Sequence, residues 1–516
     1  MLFNSYPFIF VFLPIVLTGY YLIGGQGHHR IAAVWLVAAS LFFYAWWNPA
    51  YLGLIMGSML FNYAVGVSLL GHHKALAKKI VIFGITADLA LLAYYKYANF
   101  LVDSVNQLFN AHFTLATIVL PLGISFFTFL QIAYLVDTYT HTARQYNFLN
   151  YCLFVLFFPH LIAGPLVHHR EILPQFAKNE SYLFNQRNFT AGLTIFVIGL
   201  FKKVILADGT TEYASTTFNL AESGVPLTLV AAWGGAIAYS FQLYFDFSGY
   251  SDMAIGLSKL FNIRLPMNFN SPYKSTSIIE FWRRWHITLS RFLKDYLYIP
   301  LGGNRKGVIR QFLNLFITMT LGGLWHGAAL KFILWGAIHG LLLVINNVWR
   351  KINAFFNSKL NLNTVVSTAL TFAVVTAAWV PFRAATMKGT LIMWRGMLGL
   401  NGIMLPPSWE AKLGALSPWL LAHNVRFVRL FDQVGAVKVV DILWFLLLSY
   451  VIFFLPNTQQ LMRRYRPVYE KPVYYQTSAK TLLWRPTAAW SFALTFLFVY
   501  AVLGLSRISE FLYFQF

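Results

Sequence analysis

The sequence predicts an all-α polytopic membrane protein, with roughly a dozen transmembrane helices joined by re-entrant and interfacial helices. Three observations predict it. The 516 residues are 58% apolar and 18% aromatic but only 11% charged, too little polar surface for the skin of a soluble domain. Apolar runs near the roughly 20 residues that a helix needs to cross a bilayer recur along the chain. Those runs do not alternate as barrel strands would, and a bilayer admits only helices or closed barrels.

The first run, 8–23, follows Met-Leu-Phe-Asn-Ser-Tyr, which has neither a basic region nor a small-residue cleavage pattern, and so reads as a retained helix. Further runs are 31–47, 51–70, 80–95, 118–136, 189–206, 227–245, 313–330, 332–348, 365–380, 442–455 and 490–505. His28, His29 and Arg30 precede the second run and Lys74, Lys78 and Lys79 the fourth, whereas the bend at Asn48-Pro49 is uncharged. The positive-inside rule then puts the amino terminus outside the cytosol.

A net charge of +22 suits basic loops held against anionic membrane lipid and does not point to nucleic acid. The single cysteine, Cys152, excludes an intramolecular disulfide. No inverted repeat of the transporter kind and no low-complexity tract is visible. Two polar interruptions fall late in the chain. Residues 383–440 contain Pro406, Pro407, Trp409 and Trp419, and 457–486, with Arg463, Arg464, Arg466 and Lys471, reads as a cytosolic linker before the last helix.

The candidate chemistry starts at Leu321-Gly322-Gly323-Leu324-Trp325-His326-Gly327-Ala328, inside the apolar stretch 312–344. An imidazole takes and returns a proton near neutral pH, and an ionisable side chain at membrane depth is a functional candidate by default. The small residues around His326 leave room for a backbone or ligand to approach, and Trp325 supplies an apolar wall. An interhelical hydrogen bond is the structural alternative. His339 falls about 220° further round an ideal helix, on another face. No nearby Ser, Asp or Cys pattern suggests a hydrolase triad, and no pair of histidines four apart suggests zinc, so no metal ligands are assigned.

Three other segments break the rules of a simple span. Pro159, Gly164, Pro165 and Pro174 cannot share one straight helix, so 157–176 reads as a re-entrant or interfacial segment, or as a kinked helix and loop, with His160 as a core histidine. Asp246 and Asp252 end an apolar run; a charged Asp at the bilayer centre costs roughly 2.5–3.5 kcal/mol and must pair, protonate or face a cavity. The structural reading, capping by Asp, Ser and Gly with Asp252 as an N-cap, is preferred.

Residues 280–298 place Arg284, Thr288, Arg291 and Asp295 on one helical face and Trp282, Trp285, Leu289 and Leu293 on another, an amphipathic helix for the membrane interface. The turn that follows, with Gly302, Gly303, Asn304, Arg305, Lys306 and Gly307, offers amides and cations to a phosphate-bearing donor, and plain anchoring to anionic headgroups is the alternative. His286 is not needed for anchoring.

With these residues in view the chain resembles the membrane-bound O-acyltransferases, in particular the bacterial alginate O-acetyltransferase branch. The likeness rests on Pro121 to Phe126, Phe158 to Pro165, Tyr244 to Gly256, Asn268 to Gly303, Leu321 to Ala328 and Phe511 to Phe516. Most specific is Phe281-Trp282-Arg283-Arg284-Trp285-His286 paired with Leu324-Trp325-His326-Gly327; the likeness is weakest around 399–490. It implies a single domain over 1–516, with core motifs at 121–328, folded as helices around a funnel. His326 takes the place of the family's catalytic histidine and His286 that of its second functional histidine.

The resemblance further implies transfer of an acetyl group from a cytosolic donor, acetyl-CoA, toward hydroxyls of an exported polysaccharide such as alginate. Arg283, Arg284, Asn304, Arg305 and Lys306 would hold the donor's phosphates. No permanently bound cofactor is implied. The partners implied are membrane lipids, the exopolysaccharide, and periplasmic acetyltransferase or polysaccharide-export proteins, in a Gram-negative inner membrane. Two alternatives stand: D-alanyl or other acyl transfer to a cell-wall polymer, and a lipid-linked sugar transporter.

Overall fold

The computed structural model describes residues 1–140, 147–162, 164–356, 363–428, 439–470 and 482–506, and their regular structure is almost entirely helical. The exception lies within the first polar interruption, where Ile403–Leu405 pairs in parallel with Val425–Phe427, Ile403 opposite Val425. All twelve apolar runs fall largely on helices, although 118–136 becomes helical only at Ile124 and 313–330 is interrupted after His326. Among the described residues, five helices can cross a membrane by length and composition: Phe8–Gly25, Tyr51–Leu69, Gln186–Glu222, Leu330–Phe355 and Thr364–Arg383. Four shorter apolar helices are His29–Ala45, Ile124–Tyr139, Val440–Phe453 and Ala488–Gly504. Of the three remaining runs, 80–95 lies in Lys74–Phe109 and 227–245 almost wholly in Leu229–Leu260, while the one expected over 313–330 is cut at His326, where Val308–His326 ends and a break at 327–329 precedes the helix from Leu330.

The described residues divide into two compact units, one drawn from 1–201, 248–268 and the segment from 458 onward, the other from 202–247 and 269–457. In the first, Phe8, Phe12, Phe43, Phe158 and Phe261 pack mostly edge to face or tilted; Phe12 and Phe158, for instance, lie 5.3 Å apart at 83°. The proline-rich segment is broken into Phe148–Leu156, Phe158–Leu161 and His169–Phe176; Pro159 lies in the first turn of the middle piece, where a missing N–H costs nothing, and Pro174 is tolerated inside the last. His160 is buried, its Nε2 3.0 Å from the Phe154 carbonyl, which is the core-histidine reading.

Asp252 is not an N-cap. The helix Leu229–Leu260 runs through it, and its carboxylate accepts from Thr458 Oγ1 and Gln459 Nε2, each at 2.6 Å. The reading by Asp, Ser and Gly as a helix boundary failed because buried side-chain donors replaced the backbone amides that a cap would serve. Of the linker expected over 457–486, the structure shows a helical turn at Thr458–Leu461 and a 3-10 turn at Arg463–Tyr465; residues 471–481, and the terminal motif 511–516, lie outside the described residues.

The second unit contains the hairpin Val308–His326 and Leu330–Phe355, with Thr364–Arg383 beside it. Small residues set the hairpin's spacing. A Cβ on Gly323 would collide with the Phe332 carbonyl oxygen and stand 2.9 Å from Gly336 Cα, and one on Gly336 would stand 2.9 Å from Thr320 Cα. Without side chains at this contact the backbones approach directly, which is how membrane helices gain dispersion energy when lipid is as apolar as the core.

Candidate active site: two histidines on one narrow cavity

His326 is the last residue of its helix. Gly327 follows in extended geometry, φ −165° and ψ 153°, before Leu330 starts the next helix, so the imidazole sits at the apex of the hairpin that Gly323 and Gly336 draw tight. It is partly exposed and framed by aromatic rings: Trp325 at 4.9 Å, Trp335 at 5.1 Å and Phe382 at 5.2 Å between centroids, all edge-on.

The amphipathic interfacial helix expected over 280–298 is not continuous. It is split into Ile278–Arg284, Ile287–Leu293 and a wide turn at Lys294–Tyr298. Ser277 caps the first piece by accepting from Glu280 N; Trp285 then turns extended and His286 adopts the left-handed region, φ 42° and ψ 54°. The helical period was real, but burial overrode it: Trp285, His286 and Thr288 are at most 4% exposed. Phe247 meets the His286 ring at 4.7 Å and 87°, and Phe269 meets Trp285 at 5.1 Å and 84°. A non-glycine residue in this region costs on the order of 1–3 kcal/mol, so the packing around His286 holds it against strain. Burial in this non-spanning stretch lowers the imidazole from its ordinary value to about 3, which keeps it neutral.

His286 and His326 line the same cavity, together with Leu243, Asp246, Phe247, Trp282, Trp285, Leu289, Trp335, Trp379 and Phe382. Its volume is about 20 Å³, on the order of one water molecule. Trp335 stacks on Trp379 at 5.5 Å and 18°, forming a flat wall. Behind that wall, fully buried, His339 sits edge-on to Trp282 and Trp335, at 5.2 and 4.9 Å; it does not line the cavity.

Asp246 both pairs and faces the cavity, as a carboxylate in an apolar run must; the preferred capping reading does not hold. It lies inside Leu229–Leu260, and Lys203 Nζ pairs with it at 2.7 Å and with Asp208 at 2.8 Å. The ion triad explains how a carboxylate is tolerated beside aromatic side chains. Trp335, Trp379 and Phe382 were missed; the available signal was the four-residue spacing of Trp335 and His339 and the aromatic end of the span 365–380.

The five residues expected to hold a donor are placed elsewhere: none lines the histidine cavity. Arg284 pairs with Glu280 at 2.6 Å. Arg283, Asn304, Arg305 and Lys306 are exposed, the last three in a tight turn where Gly302, Gly303 and Gly307 all have positive φ and Asn314 Nδ2 donates to the Gly303 carbonyl at 2.9 Å.

Residues 73–380 match the family model for MBOAT, the membrane-bound O-acyltransferase family. The chain is 40% identical to the peptidoglycan O-acetyltransferase of Helicobacter pylori, covering 100% of this chain and 98% of that one. It is 43% identical to the probable alginate O-acetylase AlgI of Pseudomonas putida, over 81% of this chain and 84% of the relative. A teichoic acid D-alanyltransferase of Bacillus subtilis is 29% identical over 45% of this chain and 60% of its own length. Set beside the helices and the cavity, these matches define a multi-pass membrane protein that transfers acyl groups to oxygen. The chain belongs to the membrane-bound O-acyltransferase family.

Proposed function

We propose that this O-acyltransferase moves an acetyl group from a cytosolic thioester donor, acetyl-CoA, to hydroxyls of an exported polysaccharide, in the inner membrane of a bacterium and with a periplasmic partner protein. The observation that carries the reading is the pair His286 and His326 on one narrow aromatic cavity, in a chain whose two most extensive named matches above both acetylate a glycan. Peptidoglycan and alginate are both such polymers.

A hydroxyl is a weak nucleophile until a base takes its proton. His326, partly exposed at the hairpin apex, accepts that proton as the hydroxyl oxygen attacks the acetyl carbonyl. The new C–O bond forms, negative charge gathers on the carbonyl oxygen, and the C–S bond breaks. The imidazolium returns its proton to the departing thiolate. His286, neutral and rigidly held, donates an N–H toward the developing oxyanion, a role for which a preorganised donor in dry surroundings is effective. The exposed Arg283, Arg305 and Lys306 serve the donor's phosphates outside the reacting cavity, with Asn304 beside them and Arg284 partly engaged by Glu280.

D-alanyl transfer is the second reading, favoured only by the partial match to the teichoic acid enzyme. The test is a deletion strain complemented with the wild-type gene, with base-labile acetate and D-alanine measured on purified peptidoglycan and on exopolysaccharide. The proposal expects acetate to be lost on deletion and restored on complementation, in one of the two polymers. Restoration of D-alanine esters alone would replace it with the second reading, and unchanged esters of both kinds would refute both.

A further inference from the structure

A second cavity, of about 620 Å³, lies in the first unit and has a different character. Six cations line it, Lys178, Arg187, Lys259, Arg264, Arg464 and Arg466, against one carboxylate, Glu180. None of the six has an ion-pair partner among the described residues. Two are held in place by neutral groups instead. Lys259, only 2% exposed, donates to the Arg466 carbonyl at 3.2 Å; Arg187 donates to the Arg464 carbonyl at 3.1 Å, its guanidinium 5.1 Å above the Tyr465 ring.

The three chain segments that form the cavity are fastened to each other. Gln175 and Arg264 exchange a reciprocal pair of hydrogen bonds, each 2.9 Å, through the Gln175 amide and the Arg264 backbone. Asn262, at φ 61°, donates to the carbonyls of Ser181 at 3.2 Å and Leu183 at 2.8 Å and accepts from Asn188 at 2.9 Å. Arg466 is also in the left-handed region, φ 46°. A buried ammonium and clustered guanidinium groups repel one another and lose hydration, and six cations set around a single carboxylate lack the anions that would balance them.

We propose that this cavity is a binding site for a phosphate-bearing ligand, distinct from the histidine cavity and independent of the acetyl-transfer reading. Guanidinium forks and an ammonium suit phosphate oxygens, and the volume falls in the range of small-ligand sites. The phosphate has two sources: the diester of an anionic lipid headgroup, or a soluble phosphate compound.

The experiment uses the full chain in detergent, titrated in separate arms with phosphatidylglycerol, read by native mass spectrometry against phosphatidylcholine, and with inorganic pyrophosphate, read by equilibrium dialysis. The double variant Arg187→Gln, Arg464→Gln changes exposed positions, and Arg264→Gln tests a third. Arg463→Gln, an adjacent charge that does not line the cavity, is the control, and all variants are first checked for monodisperse elution. Saturable binding in at least one arm, weakened about tenfold or more by the double variant and by Arg264→Gln but not by Arg463→Gln, is expected. Saturation with phosphatidylglycerol alone assigns the headgroup; saturation with pyrophosphate assigns a soluble phosphate. If neither probe saturates, or if the cavity variants bind as the control does, the proposal is wrong.

Discussion

His326 meets Trp335 edge to face, with ring centroids 5.1 Å apart and planes at 88°. Trp335 in turn stacks on Trp379, so the orientation of the imidazole is fixed by a wall that itself has little freedom. Catalysis by a positioned base is sensitive to such a wall, because a displacement of about 1 Å costs on the order of 100-fold in rate.

Replacing Trp335 by Leu should therefore lower kcat for acetyl transfer by about 10- to 100-fold, with Trp335→Phe milder because it keeps a ring edge near His326. Steady-state kinetics on detergent-purified protein with matched thermal unfolding profiles would check it. An unchanged kcat in Trp335→Leu means that the ring does not orient His326.

His286 supplies a second expectation, in its pH dependence. Burial holds its imidazole at about 3, below the ordinary histidine value, so the ring is neutral throughout the working range and binds a proton only in strong acid. The factor lost in His286→Ala should be the same at about pH 5.5 as at about pH 8. A loss that disappears at the lower pH would show that the functional form is one that titrates. The double variant with His326→Ala should be scarcely slower than the worse single variant, since groups acting on one transition state are not additive.

How much of this was legible in the sequence follows from which forces act locally. The apolar runs were readable because lipid demands continuous hydrophobic helix, and Pro159 and Pro165 announced the breaks in 157–176 because a missing N–H cannot be disguised, whereas Pro174 sits inside His169–Phe176. His326 stood out for its glycine-rich setting. The break at His286 was hidden, because Glu280 to Tyr298 carries an unbroken helical period and only tertiary burial of Trp285 and His286 overrides it. Asp246 was hidden for the opposite reason: its counter-ion, Lys203, lies far away in sequence, and a lone Asp next to Ser and Gly imitates a helix end.

That ion pair makes a third prediction. Lys203→Met removes the shared cation from Asp246 and Asp208 and should destabilise the second unit by about 3–5 kcal/mol, the usual cost of stranding a buried charge. Adding Asp246→Asn should recover part of the loss. Thermal unfolding and membrane yield measure both, and a single variant as stable as wild type would mean that the carboxylates find other compensation.

The exposed cations of the turn after Tyr298 give a fourth. Arg305→Gln with Lys306→Gln should raise KM for acetyl-CoA by about tenfold while changing kcat little, because the contact is equally present in ground and transition states. Kinetics at two ionic strengths would separate this from general charge effects. Unaltered KM would leave these residues to anionic lipid.

The proposed reaction requires His326 to act as the base. Its most direct test is acetyl transfer by purified, stably inserted His326→Ala, measured as thiol released from acetyl-CoA in the presence of a glycan acceptor and as ester-linked acetate on that acceptor. The expected result is a loss of about 100- to 10,000-fold in kcat, the range for removing a positioned acid or base, with membrane insertion and thermal stability retained. Wild-type rates of both thiol release and ester formation in that variant would contradict the assignment.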